Sequence, residues 1–236
     1  MSSEQRKTGM NLSTDAAFRD ALAVQPGVLV CPSDSFGGPR DDQFPYGSTT
    51  QVAGGPWRVA TTCYKGNAGD GAFEFQNPDA PPGFWTWQLS GGAGRDSMVN
   101  CYNGVDCLGI FWRSTSFRGG VKLKEVTDGA SNTLLVGESS PEDKNSPAWS
   151  SDGDWAVTGV QLNWDFKAKG QCLGRDGNVN YDQQSCWSNI RGFRSHHPGG
   201  VNFSLADASV RFLSDSIEHA VYRALSTKAM GEVISQ

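Results

Sequence analysis

The sequence predicts an α+β fold, mainly antiparallel β and rich in loops, closed at its C-terminus by a hairpin and a helix. Three observations predict it. The 236 residues include 29 Gly and 11 Pro, a content that demands many turns yet stays short of a low-complexity tract. Short runs of aromatic and branched residues recur between those turns, as strands require. Eight Trp and twelve Phe supply core material that a disordered chain would lack. A chain of this length can bury one sizeable core. It divides into a short helical segment, 1–27, and a globular domain, 28–236.

Taken in order, Ser13–Val24 reads as a short helix, with Ser13 or Thr14 as cap and Ala17, Phe18, Ala21 and Leu22 on one stripe. Pro26-Gly27 stops it. Val28–Val30 is a strand candidate, and Ser35–Pro56, made of Gly, Pro and polar residues, is a long loop. Trp57–Tyr64, Gly71–Phe75, Phe84–Leu89, Leu108–Trp112, Thr133–Glu138 and Trp155–Thr158 all carry the aromatic or branched content of strands.

The C-terminus is the best-specified part. Val201, Phe203 and Leu205 alternate, as do Val210 and Phe212. A two-residue loop at Asp207-Ala208 places Leu205 opposite Val210 and Phe203 opposite Phe212, with all four on one face. Ser214 then starts a helix whose Ile217, Ala220, Val221, Ala224 and Leu225 form a stripe that lies on the hairpin.

Lys and Arg number 20 against 25 Asp and Glu, a net charge of -5. No basic face is available for phosphates, which argues against nucleic acid as a partner. The longest apolar stretch, Cys107–Trp112, is six residues, far short of a membrane span. The six cysteines contain no C-x-x-C pair, and only three His could complete a Cys/His set, so a structural zinc is disfavoured. Cys101/Cys107 and Cys172/Cys186 would each close a short loop, leaving Cys31 with Cys63. The alternative is six buried thiols. Oxidised export is the expected state, yet Met1–Ala23 is polar with no apolar region. The expectation is therefore that an export or anchoring segment is missing from this chain.

The chain has no G-x-S-x-G elbow, H-E-x-x-H, G-x-x-x-x-G-K-[ST] or G-x-G-x-x-G. A hydrolase would need His196 or His197 to meet both a carboxylate and a Ser. His197 and Asp207 can form a proton-shuttling or metal-holding pair if the loop before the hairpin folds back. Otherwise His197 bonds a backbone carbonyl and fixes the hairpin entry. Asp176, Asn178, Asn180 and Asp182 present oxygen at alternate positions, the spacing with which a calcium loop wraps its ion. Tyr181 and Trp187 stand where an EF-hand has Gly and Glu, so an Asn/Asp-rich surface turn is the competing reading. Trp57, Trp85, Trp87, Trp112, Trp149, Trp155, Trp164 and Trp187 raise carbohydrate as a partner through stacking, against their default use in packing.

Several phrases occur in a specific order. They are Val30-Cys31-Pro32-Ser33-Asp34, Tyr64-Lys65-Gly66-Asn67-Ala68-Gly69-Asp70, Val126-Thr127-Asp128-Gly129-Ala130-Ser131-Asn132-Thr133 and Val136-Gly137-Glu138. They end in His197-Pro198-Gly199-Gly200-Val201-Asn202-Phe203 and Ala206-Asp207-Ala208-Ser209-Val210-Arg211-Phe212-Leu213. From about Val28 to the C-terminus the chain resembles the DUF1559 family, prepilin-like proteins with a C-terminal signature called H-X9-DG. Ala208 stands where the family motif has Gly, which predicts a wider or strained turn. The resemblance implies a type IV pilin-like or type II secretion pseudopilin-like protein. In such proteins a cleaved leader and a hydrophobic helix precede an outward-facing head. This chain would be the head, on the periplasmic or extracellular face of the cell envelope, with pilin-like subunits or envelope proteins as partners. Calcium in some pseudopilin heads supports the run at Asp176–Asp182. The expected function is a non-enzymatic structural or interaction module. The alternative is an extracellular module that binds carbohydrate or another ligand.

Overall fold

Leu134-Leu135-Val136-Gly137-Glu138 is the most apolar strand sequence in the chain, and it becomes the centre of the molecule. The computed structural model describes residues 20–43, 57–70, 108–111, 120–141, 155–165, 168 and 192–232. Among the described residues seven strands form, namely β1 (Arg40–Gln43), β2 (Trp57–Val59), β3 (Tyr64–Asn67), β4 (Leu134–Glu138), β5 (Trp155–Ala156), β6 (Gly200–Leu205) and β7 (Val210–Ser214), followed by helix α1 (His219–Ala224). β1 and β2 pair by themselves. The other five make one sheet in the order β5-β3-β4-β6-β7, antiparallel except for the parallel pair β3–β5. The fold is thus α+β, with short helices and a mixed sheet. No helix among the described residues is long and apolar enough to cross a membrane.

Leu134, Val201, Phe203, Leu205 and Leu213 project from the sheet into the main core, where Phe193, Tyr222 and Leu225 cover them. Phe193 and Phe203 meet edge to face with centroids 5.0 Å apart, and Phe203 meets Tyr222 in the same way at 6.1 Å. Such pairs add stabilisation beyond simple burial. Gly137 makes this packing possible, because a Cβ there would strike the rings of Phe203 and Phe193. A second core gathers Ala68, Trp155, Val157 and Val160, with Trp164 against it.

Several elements differ from the sequence-based expectation. Of the expected helix Ser13–Val24, residues 20–22 are helical with Leu22 buried, and residues 13–19 lie outside the described residues. Val28–Val30 is not a strand: Gly27–Leu29 is a 3-10 turn in which Leu29 N–H donates to Pro26 O and Val30 N–H to Gly27 O. Pro26 presets this start with its fixed φ. The expected loop 35–56 contains β1, whose polar sequence hides an edge strand that pairs with β2. Trp57–Tyr64 breaks into β2 and the start of β3, which lie in different sheets. Residues 108–111 form bends instead of a strand. Ile110 and Phe111 N–H groups donate to Asn67 O there, so this backbone caps β3. Gly71–Phe75 and Phe84–Leu89 lie outside the described residues.

The terminal hairpin forms, but one residue out of the expected register. Phe203 faces Arg211, Asn202 faces Phe212 and Val201 faces Leu213. Val201, Phe203, Leu205 and Leu213 are therefore inside, while Val210 and Phe212 are 73% and 48% exposed. The cause is the turn. Leu205 N–H donates to Ser209 O and Ala208 N–H to Leu205 O, which leaves three loop residues instead of two. Ala208 takes φ 67, the left-handed conformation that closes three-residue hairpins and that Gly adopts freely. A change of one in loop length moves every side chain of one strand to the other face. Replacing Ala208 with Gly is expected to raise stability by ~0.5–1 kcal/mol, relief of left-handed strain outweighing the added freedom of the unfolded chain. A urea midpoint that rises with an unchanged m-value checks this.

Helix α1 starts at His219 rather than near Ser214, since β7 runs through Ser214. Ile217, Val221 and Leu225 do pack on the core, but Ala220 is exposed and Tyr222 is the fully buried residue. The helix ends where Ser226 and Thr227 hydroxyls donate to Arg223 O and Ala224 O. The chain beyond it then turns inward: Leu134 N–H donates to Leu225 O and Asp128 N–H to Lys228 O.

Candidate functional site

Three distant segments meet at one end of β4. The 3-10 turn at Gly27–Leu29 delivers Cys31, and a following turn, with Asp34 N–H donating to Cys31 O, brings Asp34 alongside. Glu138 is the last residue of β4. His196 and His197 lie in the loop that enters β6. Cys63 holds the arrangement together through its backbone, its N–H donating to Leu29 O and its carbonyl accepting from Ser139 N–H.

Cys31 Sγ lies 3.6 Å from Glu138 Oε1 and 3.7 Å from His197 Nε2, and His197 Nε2 lies 3.2 Å from Glu138 Oε1. Each of the three atoms touches both others. The Cys31 and Glu138 side chains are buried, whereas His197 is 31% exposed. The second Glu138 oxygen, Oε2, accepts Asn202 N–H at 2.8 Å and the Asn202 amide at 3.3 Å. The same amide reaches Oε1 at 3.4 Å, so Asn202 holds the carboxylate by both oxygens while Oε1 faces the cysteine and the histidine. Burial pushes the Cys63 thiol up to about 11, partly offset by a hydrogen bond from the Cys31 backbone. Burial also raises the Tyr64 phenol, helped by the nearby Cys31 and Glu138.

Beside this cluster, His196 Nε2 is 3.0 Å from Ser140 Oγ and 3.8 Å from Asp34 Oδ2, with the Phe36 ring stacked on the imidazole. These are the residue types a hydrolase needs. Their geometry is different, because a catalytic triad puts the nucleophile on one imidazole nitrogen and the carboxylate on the other. At His196 both neighbours converge on Nε2, and the same is true of Cys31 and Glu138 at His197.

A family model described as a protein of unknown function (DUF1559) matches residues 2–220. The chain belongs to the DUF1559 family. No curated protein and no solved structure matches it. The match takes in the N-terminal segment together with the hairpin of this DUF1559 chain, and so reaches further forward than the ordered phrases from Val28.

The site residues named from sequence fall out as follows. His197 does pair with a carboxylate, but with Glu138 instead of Asp207. Strand β6 separates the two, placing His197 at one end of the hairpin and Asp207 at its tip. There the Asp207 carboxylate accepts Ser209 N–H and Oγ–H, and these bonds hold it below the usual carboxylate range. Cys31 and Cys63 are free thiols rather than a disulfide. The Cys31 sulfur turns to Glu138 and His197, while the Cys63 sulfur lies against Gly37. Asp176, Asn178, Asn180 and Asp182, and the other four cysteines, lie outside the described residues. Trp155 is a core residue, and Trp164 packs partly buried beside it. Glu138 was missed. Its signal is a lone carboxylate closing an otherwise apolar strand, a position where an acid is buried only with partners.

Proposed function

We propose that this DUF1559 chain is the non-enzymatic structural and interaction head of a pilin-like, type II secretion pseudopilin-like, envelope protein. It acts on the periplasmic or extracellular face, with other pilin-like subunits or envelope proteins as partners. The observation that carries the reading is strand β7. It ends the sheet order, and it presents Val210 and Phe212, 73% and 48% exposed, on its outer face. An edge strand with exposed apolar side chains is a template for pairing with another chain. Net charge -5 suits a protein partner better than a polyanion. Within the same reading, Cys101/Cys107 and Cys172/Cys186 close loops by disulfides and the run Asp176–Asp182 is the place for calcium.

A photo-crosslinking residue placed at Phe212 in the source cells tests the proposal. The expected result is an adduct with a pilin-like or other envelope subunit in the membrane fraction, lost when Val210 carries Asp. A protein that stays free of adducts in every fraction would overturn it.

A further inference from the structure

We infer that Cys31, Glu138 and His197 form a binding site for a divalent transition-metal ion of the zinc class. The argument stands apart from the pilin-like reading, since it rests on three donor atoms and not on β7. A tetrahedral zinc ion bound by one thiolate, one imidazole and one carboxylate sets its donors about 3.3–3.6 Å apart. The observed edges are 3.7 Å from sulfur to nitrogen, 3.6 Å from sulfur to oxygen and 3.2 Å from nitrogen to oxygen. Among the described residues this is the group of three such side chains whose ligand atoms all lie within 4.8 Å of one another.

Hydrogen bonding alone accounts poorly for the triangle. A neutral thiol and a neutral imidazole bring at most two protons to three contacts, and with His197 protonated at Nε2 both go to Glu138 Oε1. That leaves the contact between sulfur and nitrogen without a proton. One cation inside the triangle satisfies all three edges. Its charge of +2 is matched by one thiolate and one carboxylate, so the bound site is neutral, as a buried site requires. Binding displaces the Cys31 thiol proton to solvent and forms a metal–sulfur bond.

The donor set also selects the ion. Thiolate and imidazole favour zinc, cobalt or copper over calcium and magnesium, which take oxygen ligands. Asn202 supplies the outer support that fixes a ligating carboxylate. His197 is the member of the three that reaches the surface, its side chain 31% exposed against 5% for Glu138.

The test uses the reduced full-length chain and Co2+ as a spectroscopic probe, followed by Zn2+ competition. The wild-type protein is expected to show a thiolate-to-cobalt charge-transfer band that Zn2+ abolishes at one equivalent. Cys31→Ser loses the band while Cys63→Ala keeps it. Glu138→Gln, which preserves shape, and Asn202→Ala each weaken cobalt binding by about tenfold or more, with far-UV circular dichroism reporting that each variant is folded. Absence of the band in the folded wild type, or its persistence in Cys31→Ser, would overturn the assignment. Stoichiometric binding of Ca2+ to these same three residues would overturn it too.

Discussion

Replacing Asn67 with Asp is expected to prevent folding under conditions where the parent chain is stable, and replacing it with Ala to cost about 3–5 kcal/mol. Asn67 is fully buried in β3. Its amide donates to Leu134 O at 2.9 Å and to Ser226 O at 2.8 Å, and its Oδ1 accepts Gly69 N–H at 2.9 Å. One side chain thus joins β3 to the start of β4 and to the segment after α1. Alanine strands two carbonyls and one N–H in the interior, each worth roughly 1–3 kcal/mol when unsatisfied. Aspartate keeps the shape but has nothing to donate, and it sets a negative charge against two carbonyl oxygens. Typical domains have only about 5–15 kcal/mol in hand. Equilibrium urea unfolding measures both changes, and an Asp variant within about 1 kcal/mol of the parent would refute the role given to the amide donors.

Tyr222 is expected to respond in opposite directions to two substitutions. The ring is fully buried against Phe203 and His219. Removing it in Tyr222→Ala should cost about 3–5 kcal/mol through lost burial and the cavity left behind. Its hydroxyl meets no hydrogen-bond partner among the described residues, and burial holds the phenol well above its ordinary pKa, hence neutral. A buried hydroxyl without a partner is a net cost, so Tyr222→Phe should gain about 1 kcal/mol. Thermal and urea unfolding of the two variants side by side provide the check. A loss of stability in the Phe variant would mean that the hydroxyl is satisfied.

What the sequence made legible was local. β4 and β5 announce themselves by branched and aromatic content, and the hairpin by its alternation. The register error at Phe203 arose because a strand pattern is blind to loop length: Ala at position 208 did not advertise the left-handed φ that it adopts. Val28–Val30 has strand composition, but Pro26 sets a turn. β1 escaped notice because Arg40–Gln43 is polar and belongs to a separate two-stranded sheet. The candidate site was half legible. His197 and a carboxylate partner were expected, but only tertiary pairing could bring Glu138 rather than Asp207 to the imidazole. Cys31 was assigned by elimination to Cys63, since spacing along the chain says nothing about the direction a sulfur faces. Afterwards the positions make sense: the phrases ending at Asp34, at Glu138 and beginning at His197 are the three that converge.

The strand order carries a consequence for how the protein is made. Within the five-stranded sheet β6 and β7 are close in sequence, while β3 must find β4 about seventy residues away and β4 must find β6 at a similar separation. Hairpins close in ~1–10 μs, whereas sheets built from remote partners fold in about milliseconds to seconds. The central strand β4 also cannot complete its pairing until β6, Gly200–Leu205, has been made. Until then β4 lacks its second neighbour, and the aromatic cluster of Phe193, Phe203 and Tyr222 stays incomplete. The sheet is thus slow to close relative to its hairpin, and refolding from urea is expected on a scale of about milliseconds to seconds.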